Sequence, residues 1–491
     1  MSIVNCQLSI IRIGVEQQMN DNKAELRQRI DDWFKLHSGA MIEDLGRLIA
    51  INSIKQPAQE GAPFGPDSRA VLTLAAGMLE ERGFAASDFK DVIVTADWGP
   101  APTLMGILVH LDIVEAGRGW DTDPFKMTIK DGKIYGRGAS DDKGPAIAAM
   151  YAMYCARDLC PEPRHGMRII LGSAEETGFD DIVLYLKENV PPPNVFSPDA
   201  EFPLINTEKG RFTPFFGASW DKDVSLPRVI SIVGGKTMNI VPNRAEAVIE
   251  GITADDAEQF CREYSAKTGA TISVSSSDEK NLVILAEGTA SHASTPRLGI
   301  NAQTAIIEML AAMPFAQSKG FDYIKALGRI VPHGDYNGTA LGIEMRDELS
   351  GRLTVNFGVL RYTETDFTGI FDMRTPACAD DIDLEGMVRT ALEREGVKLT
   401  SSTISKCHHT PEDSPFVQTL LRIYEEYTGE PGKCLTGGGS TYVHDIPGGV
   451  AFGCSMPGVS NNAHGANEFI GVEQLLLSAK MFTQAILDMC G

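Results

Sequence analysis

The chain has 491 residues, more than one hydrophobic core usually organises, so its length predicts two or more domains. Hydrophobic residues make up 43% and charged residues 22%, a composition that excludes a disordered or fibrous protein. Acidic side chains outnumber basic ones 66 to 44, which gives a formal charge of −22 without a dense Lys/Arg run. Because such a chain repels phosphate backbones, we expect no nucleic-acid partner.

The first residues do not resemble a targeting signal, because residues 1–18 lack a basic leader and Arg12 interrupts their only apolar stretch. We expect residues 1–19 to form an N-terminal extension, or Met19 to be the true start. No window reaches the roughly 18 apolar residues of a membrane span, so no membrane partner is expected. Nine cysteines without a C-x-x-C pair favour reduced, mostly buried thiols and a cytoplasmic protein.

Helical and strand patterns alternate along the first part of the chain. Apolar spacing predicts one or two helices over 23–50 and another over 66–83. The apolar runs 103–109 (TLMGILV) and 167–172 (MRIILG) have the length of strands that are covered on both faces. Between them we predict a helix over 143–159, with Asp142 as its cap.

The pattern changes after residue 209 and returns near Cys407. The intervening segments indicate an α+β insertion, with strands near 228–233 and 245–249 and helices near 254–268 and 301–313. We therefore predict an α/β fold, in which a catalytic domain with a mainly parallel central sheet carries a large inserted α+β lid domain. The predicted boundaries are 20–209 plus 407–491 for the catalytic domain and 210–406 for the lid.

Five stretches concentrate the residue types that bind metal ions. They are VHLD (His110, Asp112), GRGASDDKGP (Asp141, Asp142), SAEETG (Glu175, Glu176), SPDAEFP (Asp199) and NNAHGANE (His464). His110 and Glu175 follow the two apolar strands, and ligands of open α/β sheets bind outside the carboxyl ends of strands. Two imidazoles with several carboxylates in one crevice suit zinc, cobalt or manganese.

The adjacent acids Glu175 and Glu176 are placed on a turn, where neighbouring side chains can diverge. One carboxylate can then face a metal while the other faces a water molecule. Hydrolysis needs this division of labour, with one carboxylate as a ligand and the other as a general base.

In this order the five stretches resemble the signature of the di-zinc aminoacylase/carboxypeptidase-G-like metallopeptidases, over nearly the whole chain from about residue 20. GTASHASTPRLGINA (288–302), FDMRTP (371–376), SPFVQTLLRIYEEYTGE (414–430) and GGGSTY further resemble bacterial dipeptidases of the dipeptidase V type, which act on Xaa-His and other dipeptides. The resemblance implies a hydrolase that cleaves the peptide bond of free dipeptides with an unblocked N-terminus, using a water that bridges two metals.

The resemblance also implies a ligand set for two Zn²⁺ ions per chain, with Co²⁺ or Mn²⁺ as alternatives. His110 and Asp199 would hold the first metal, and Glu176 and His464 the second. Asp141 would bridge both metals.

Further roles follow from the same resemblance. The bond from Asp141 to Asp142 is expected to be cis, and Asp112 to orient the imidazole of His110 from behind. Glu175 would be the general base that acts on the bridging water.

The lid is expected to contribute to substrate binding. His292 would stabilise the tetrahedral oxyanion, while Asn239 and Arg374 would bind the terminal carboxylate of the substrate. Gly439 and Ser440, in the glycine loop, would add backbone N–H donors. This loop departs from the usual GGGTYAR pattern, because here it continues as GGGSTYVHDI and places His444 where a basic residue is expected.

Two other functions stay open at this point. One is a deacylase of N-acyl amino acids or of succinyl-diaminopimelate, and the other is a catalytically silent binding protein on the same scaffold. The presence of Glu175 argues against the silent protein. The insertion at 210–406 is about twice as long as the small dimerisation domain of typical deacylases in the family. Relatives with such a lid are monomers, so we expect a monomeric dipeptidase.

Overall fold

The computed structural model describes residues 2–277 and 280–491, and the side chains of 23–275 and 280–491. Contacts between residues divide the chain into two compact units. Unit 1 comprises the chain up to Asn206 together with His409–Leu435 and Thr441–Gly491. Unit 2 comprises Thr207–His408 and Thr436–Ser440.

The described chain contains ten α-helices. They are α1 (Ser2–Ile49), α2 (Pro66–Glu81), α3 (Lys143–Leu159), α4 (Asp180–Glu188), α5 (Ala254–Thr268), α6 (Ala302–Ala312), α7 (Lys319–Ile330), α8 (Leu384–Arg394), α9 (Pro415–Thr428) and α10 (Val472–Cys490).

It also contains twenty-four strands. They are β1 (Ala86–Phe89), β2 (Ile93–Trp98), β3 (Thr103–His110), β4 (Thr128–Lys130), β5 (Lys133–Tyr135), β6 (Gly166–Gly172), β7 (Asn194–Ser197), β8 (Ala200–Glu201), β9 (Leu204–Glu208), β10 (Gly210–Ser219), β11 (Arg228–Gly234), β12 (Arg244–Glu250), β13 (Thr271–Ser277), β14 (Asn281–Glu287), β15 (Arg346–Asp347), β16 (Gly351–Arg352), β17 (Thr354–Tyr362), β18 (Asp366–Thr375), β19 (Lys398–Ser405), β20 (His408–His409), β21 (Cys434–Gly437), β22 (Val450–Ala451), β23 (Cys454–Ser455) and β24 (Phe469–Gly471).

The main sheet of unit 1 has the strand order β1-β2-β6-β3-β7-β22-β9-β20, with β21 beside β9. Its central strands β6, β3, β7 and β22 run parallel, and antiparallel pairs flank them. The register pairs His110 with Gly172, so β3 and β6 end at the same edge of the sheet. This confirms the predicted α/β class with a mainly parallel central sheet.

Helix α3 forms the centre of the unit 1 core. Every residue from Lys143 to Ala156 is buried, and the helix packs against both α1 and α10. Small side chains at 146, 148, 149 and 152 allow neighbouring helices to approach closely from more than one side. The helix thereby fixes the position of the loop that precedes it, which carries Asp141.

The start of α3 corrects one prediction. Asp142 occupies the N-cap position, but its side chain makes no capping hydrogen bond. Its carboxylate Oδ2 instead accepts a hydrogen bond from the backbone N–H of His110 at 3.0 Å, because the buried side chain points toward β3. The peptide bond from Asp141 to Asp142 is cis, as expected.

A single helix, α1, covers the segment for which one or two helices were predicted, and it ends at Ile49. The predicted N-terminal extension, residues 1–19, falls on this helix from Ser2 onward. The side chains of that segment lie outside the described residues, so the prediction stays untested.

Unit 2 is built on an eight-stranded sheet with the order β13-β14-β12-β11-β17-β18-β10-β19. Neighbouring strands are antiparallel throughout. Helices α5 and α6 pack on β12–β14, and α8 lies beside β19. Phenylalanines fill its core, and the rings of Phe216 and Phe371 stack with centroids 4.5 Å apart. Strand β10 pairs Arg211 with Arg374 of β18, which places both side chains on one face.

Two further observations concern the class of protein. Among the helices described, none combines the length and the apolar character needed to cross a membrane. The eight cysteines whose side chains are described are free thiols.

Two glycines within helices make a matched test of the packing around α3. A Cβ atom on Gly144 would lie 2.1 Å from the carbonyl oxygen of Ala139, whereas a Cβ on Gly77 of α2 would meet no atom within 4 Å. We expect Gly144→Ala to lower the free energy of unfolding by about 1–3 kcal/mol through overpacking. Gly77→Ala should raise it by about 0.5–1 kcal/mol, because alanine has the better helix propensity. Thermal unfolding of both variants measures the difference, and equal shifts would contradict the close packing at Gly144.

Candidate active site

Two groups of potential ligands lie at the carboxyl edge of the parallel strands. The first comprises His110 at the end of β3, Glu175 in the turn after β6 and Asp199 after β7, with one ligand atom of each within 4.8 Å of the others. We call it the first cluster. The two predicted strands and β7, which was not predicted, therefore bring these three side chains together.

The second cluster comprises Asp141, Glu176 and His464, whose ligand atoms also lie within 4.8 Å of one another. His464 approaches from the loop that precedes β24, and its Nε2 is 3.0 Å from Oε1 of Glu176. The backbone of His464 adopts a φ of 61°, a left-handed conformation that is uncommon outside glycine.

Asp141 lies between the two clusters. Its Oδ1 is 3.1 Å from Nε2 of His110, and its Oδ2 is 3.0 Å from Nε2 of His464. Each carboxylate oxygen thus faces a different imidazole, and the two clusters share this one side chain.

Asp112 supports both His110 and the turn with the paired glutamates. Its Oδ1 is 3.3 Å from Nδ1 of His110, on the side of the ring away from Asp141. The same carboxylate accepts hydrogen bonds from the backbone N–H groups of Glu175 and Glu176, each at 3.1 Å. The sequence analysis anticipated the contact with His110 but missed the support of the turn.

Asp181 and Tyr442 form a second support of that turn, which the sequence analysis also missed. The buried carboxylate of Asp181 accepts hydrogen bonds from the backbone N–H groups of Ser173 and Ala174, at 2.6 and 3.0 Å. The hydroxyl of Tyr442 donates to it at 2.5 Å. Burial raises the pKa of Asp181 to about 6. Tyr442 stands in the GGGSTY stretch, which was the only sequence signal for this contact.

Burial dominates the electrostatics of the carboxylates. It raises the pKa of Glu176 to about 7, and the negative charge of Asp141 acts in the same direction. Burial also raises the pKa of Glu175 well above its ordinary range and raises that of Asp199. Burial thus favours the neutral form of each of these carboxylates, and a nearby positive charge would favour the ionised form.

The pKa shifts of His464 and Asp141 instead favour the charged forms of both side chains. Burial alone would lower the pKa of His464, but its hydrogen bonds with Asp141 and Glu176 raise it to about 11. Burial opposes ionisation of Asp141, but the neighbouring imidazoles of His110 and His464 lower its pKa. Protons and metal ions compete for the same imidazole nitrogens, because a ligating imidazole must be neutral.

The donor atoms fit divalent metal ions. Nε2 of His110 and Oδ1 of Asp141 are buried and lie 3.1 Å apart, but neither is aligned for a hydrogen bond with the other or with any other described residue. Leaving such polar atoms unsatisfied is costly, which favours a ligand between them. Imidazole nitrogen and carboxylate oxygen together form the donor set that zinc, cobalt and manganese accept.

In unit 2, Arg374 is held by its own strand neighbour. The side chain is 4% exposed, and its Nε and Nη2 donate to the two carboxylate oxygens of Asp372 at 2.6 and 3.1 Å. Nη1 donates to the carbonyl oxygen of Gly438 at 3.0 Å. Arg211 donates to the same carboxylate at 2.8 Å. The bidentate interaction that was expected with a substrate carboxylate is therefore made with Asp372. The guanidinium groups of Arg374 and Arg211 share the single negative charge of this carboxylate.

The other lid residues lie close to this arginine. Nδ1 of His292 is 2.6 Å from the hydroxyl of Ser294, and a Cβ on Gly438 would meet the Cβ of Ser294 at 2.4 Å. The loop that contains Gly439 and Ser440 thus packs beside His292. The carbonyl oxygen of Asn239 accepts a hydrogen bond from the N–H of Ala293 at 2.8 Å. Unit 2 therefore contains the three residues predicted for the lid, and also Gly439 and Ser440, which the predicted boundaries placed in the catalytic domain. His444 lies in a 3₁₀ turn of unit 1.

Comparison with known proteins identifies the family. The family model of peptidase family M20/M25/M40 matches residues 106–488. The chain belongs to this family. It is 33% identical over 457 residues to the Beta-Ala-Xaa dipeptidase of Lactobacillus delbrueckii subsp. lactis, across 92% of this chain and 96% of that relative.

Solved structures share the fold. Human carnosine dipeptidase 1 matches with a TM-score of 0.57 at 16% identity, across 94% of this chain and 98% of the human chain. The di-peptidase Dug1p of Saccharomyces cerevisiae matches with a TM-score of 0.56 at 13% identity, across 94% and 98%. These findings confirm the metallopeptidase family that the sequence motifs indicated. M20 peptidases are metal-dependent hydrolases, which agrees with the donor atoms of the two clusters.

Proposed function

We propose that this chain is a metal-dependent dipeptidase that hydrolyses free dipeptides with an unblocked N-terminus. The observation that carries the proposal is the full-length similarity to a Beta-Ala-Xaa dipeptidase, in a chain whose two ligand clusters share Asp141. The deacylase alternative has no comparable support. The monomeric state and the cytoplasmic location stay predictions from the sequence.

The proposed centre holds two divalent metal ions, with zinc as the first candidate and cobalt or manganese as alternatives. His110 and Asp199 would hold one ion, Glu176 and His464 the other, and Asp141 both. The support is geometric, because the two oxygens of Asp141 face different imidazoles. When bound, such ions supply Lewis acidity toward a carbonyl group and a water molecule.

Glu175 is the proposed general base. It lies beside His110 and Asp199, but its neighbour Glu176 is the residue that contacts His464. The Glu175 carboxylate would take a proton from the attacking water and deliver it to the departing amino group. Burial raises the pKa of Glu175, which makes its carboxylate a stronger proton acceptor. Asp112 would keep this carboxylate in place through the backbone of the turn.

The lid residues would recognise the end of the substrate. Arg374 and Asn239 are proposed to bind its terminal carboxylate, and His292 to stabilise the oxyanion that forms on the scissile carbonyl. Asp372 would hold the guanidinium of Arg374 in one orientation, while Nη1 and Nη2 each retain one N–H for a ligand. Gly439 and Ser440 would supply backbone donors beside them.

A substrate screen tests the proposed function. We expect the purified chain to hydrolyse dipeptides, including Xaa-His, with kcat/KM roughly 10⁴-fold above that for N-acetyl or N-succinyl amino acids, the discrimination expected when a substrate leaves a polar group of the site unpaired. Liquid chromatography of the released amino acids measures each rate. Preference for the acylated amino acids would replace the dipeptidase with the deacylase.

The role of Glu175 is tested by Glu175→Gln, with the exposed Glu60→Gln as the matched control. We expect the first variant to lose about two to four orders of magnitude in kcat, the usual contribution of general acid–base catalysis. The metal content of this variant should equal that of the wild type. The control should match the wild type in both kcat and metal content. Full activity, or loss of a metal, would show that Glu175 is not the base.

The role of Arg374 is tested with a dipeptide and its C-terminal amide, which lacks the carboxylate. Arg374→Ala should lower kcat/KM for the dipeptide by about 2–5 kcal/mol in transition-state free energy, the range for truncating one member of a desolvated charge pair. The amide should already be a poor substrate and should lose little more. Arg389→Ala, at an exposed position in α8, serves as the control. Equal losses on both substrates would show that Arg374 supports the fold of unit 2 instead.

A further inference from the structure

Two buried charged side chains behind the clusters have no part in the proposed chemistry. Arg137 is 1% exposed and Glu468 is 0% exposed, and Nη1 of the arginine donates to Oε2 of the glutamate at 2.6 Å. Arg137 follows β5 and Glu468 precedes β24, and these short strands pair with Tyr135 opposite Phe469. The pairing brings together two segments that are 331 residues apart in the chain.

Glu468 supports the loop that presents Asp141. Its Oε1 accepts hydrogen bonds from the backbone N–H groups of Ser140 and Asp141, at 2.8 and 3.1 Å. Its Oε2 accepts from the N–H of Gly138 at 3.0 Å in addition to the arginine. Three backbone groups of one short loop are therefore fixed by a single carboxylate.

Arg137 connects the same carboxylate to the loop that carries His464. Its Nη2 donates to the carbonyl oxygen of Gly465 at 3.0 Å, directly after the histidine. Longer bonds, at 3.3 and 3.4 Å, reach the carbonyl oxygens of Glu115 and Ala116, in the segment that follows Asp112. One guanidinium group thus links the carboxylate of Glu468 to the backbone next to His464 and to the segment after Asp112.

A purely structural role is the simpler alternative, because buried ion pairs often add little to the stability of a fold. The hydrogen bonds argue against it. Apart from the bond between them, the two side chains donate to and accept from backbone groups in the loops of Asp141 and His464 and in the segment after Asp112. Residues that orient metal ligands from behind commonly set metal affinity.

We propose that Arg137 and Glu468 are positioning residues that fix the spacing between Asp141 and His464. They thereby set the affinity of the second cluster for its divalent metal ion. The proposal rests on the metal ligation proposed above. It does not require either residue to touch substrate or metal.

Two substitutions test the pair separately. In Glu468→Gln, the amide nitrogen must face N–H donors at one of the two former oxygen positions, so at least two of the bonds are lost. In Arg137→Lys, a single ammonium group replaces the guanidinium group, whose two terminal nitrogens donate to Glu468 and Gly465. The matched controls are Arg168→Lys and Asp97→Asn, which break a two-pronged pair between β6 and β2, away from the ligand loops.

The experiment is a competition between metal-free protein and a chromophoric zinc chelator, which yields one dissociation constant for each site. We expect one of the two dissociation constants, which the proposal assigns to the second cluster, to rise about 10- to 100-fold in both variants, the usual effect of losing such a partner. The cobalt-substituted variants should show a changed visible absorption spectrum, which a loss of global stability alone would not produce. Zinc in excess should restore much of the dipeptidase activity, and the controls should bind like the wild type.

Wild-type affinity at both sites and an unchanged cobalt spectrum in the variants would overturn the proposal. An equal loss of metal affinity in the control variants would also overturn the proposal, because it would show that any loss of stability weakens metal binding. If Glu468→Gln does not fold, the more conservative Arg137→Lys decides alone. A wild-type chain that binds zinc and cleaves dipeptides while its variants bind normally would contradict this inference only. A wild type without either property would contradict the proposed function.

Discussion

The burial of like charges at one edge of a sheet is the constraint on which the rest of unit 1 depends. Parallel strands β3, β6 and β7 end together, and the loops that precede α3 and β24 approach their ends. Together these segments crowd four carboxylates and two imidazoles into the two clusters. Burial raises the pKa of Glu175 and Glu176, which means that ionised carboxylates here require a compensating positive charge. Divalent cations meet that requirement, and the metal dependence of the family agrees with it. Behind the clusters, the carboxylates of Asp112 and Glu468 accept hydrogen bonds from backbone N–H groups of the ligand loops.

In unit 2, an ion pair likewise orients a residue that is proposed to bind substrate. A guanidinium group placed on the face of an antiparallel sheet needs a fixed orientation, and Asp372, two residues earlier on the same strand face, provides it for Arg374. Arg211 on the neighbouring strand shares that carboxylate, so the group retains a surplus positive charge. Nε of Arg211 is buried and has no hydrogen-bond partner among the described residues. An anionic group such as a terminal carboxylate would complement this charge.

The sequence predicted those features that depend on local pattern. The apolar run of β3 located His110, and the run of β6 located the turn with Glu175, because strand ends follow directly from the strands. Asp142 was misread as a helix cap, since a sequence does not show that its side chain turns toward β3. Glu468 was missed although it stands only four residues after His464, because its partners lie 327 to 331 residues away. Asp372 could have been found from the period of two along β18.

Crystals grown with zinc and measured at wavelengths on both sides of the zinc absorption edge test the central claim most directly. The account predicts two anomalous peaks in each chain, one on either side of the Asp141 carboxylate. His110 and Asp199 should contact the first ion, and Glu176 and His464 the second. A single peak, or two peaks of which Asp141 contacts only one, would contradict the shared carboxylate on which the proposed dipeptidase mechanism rests.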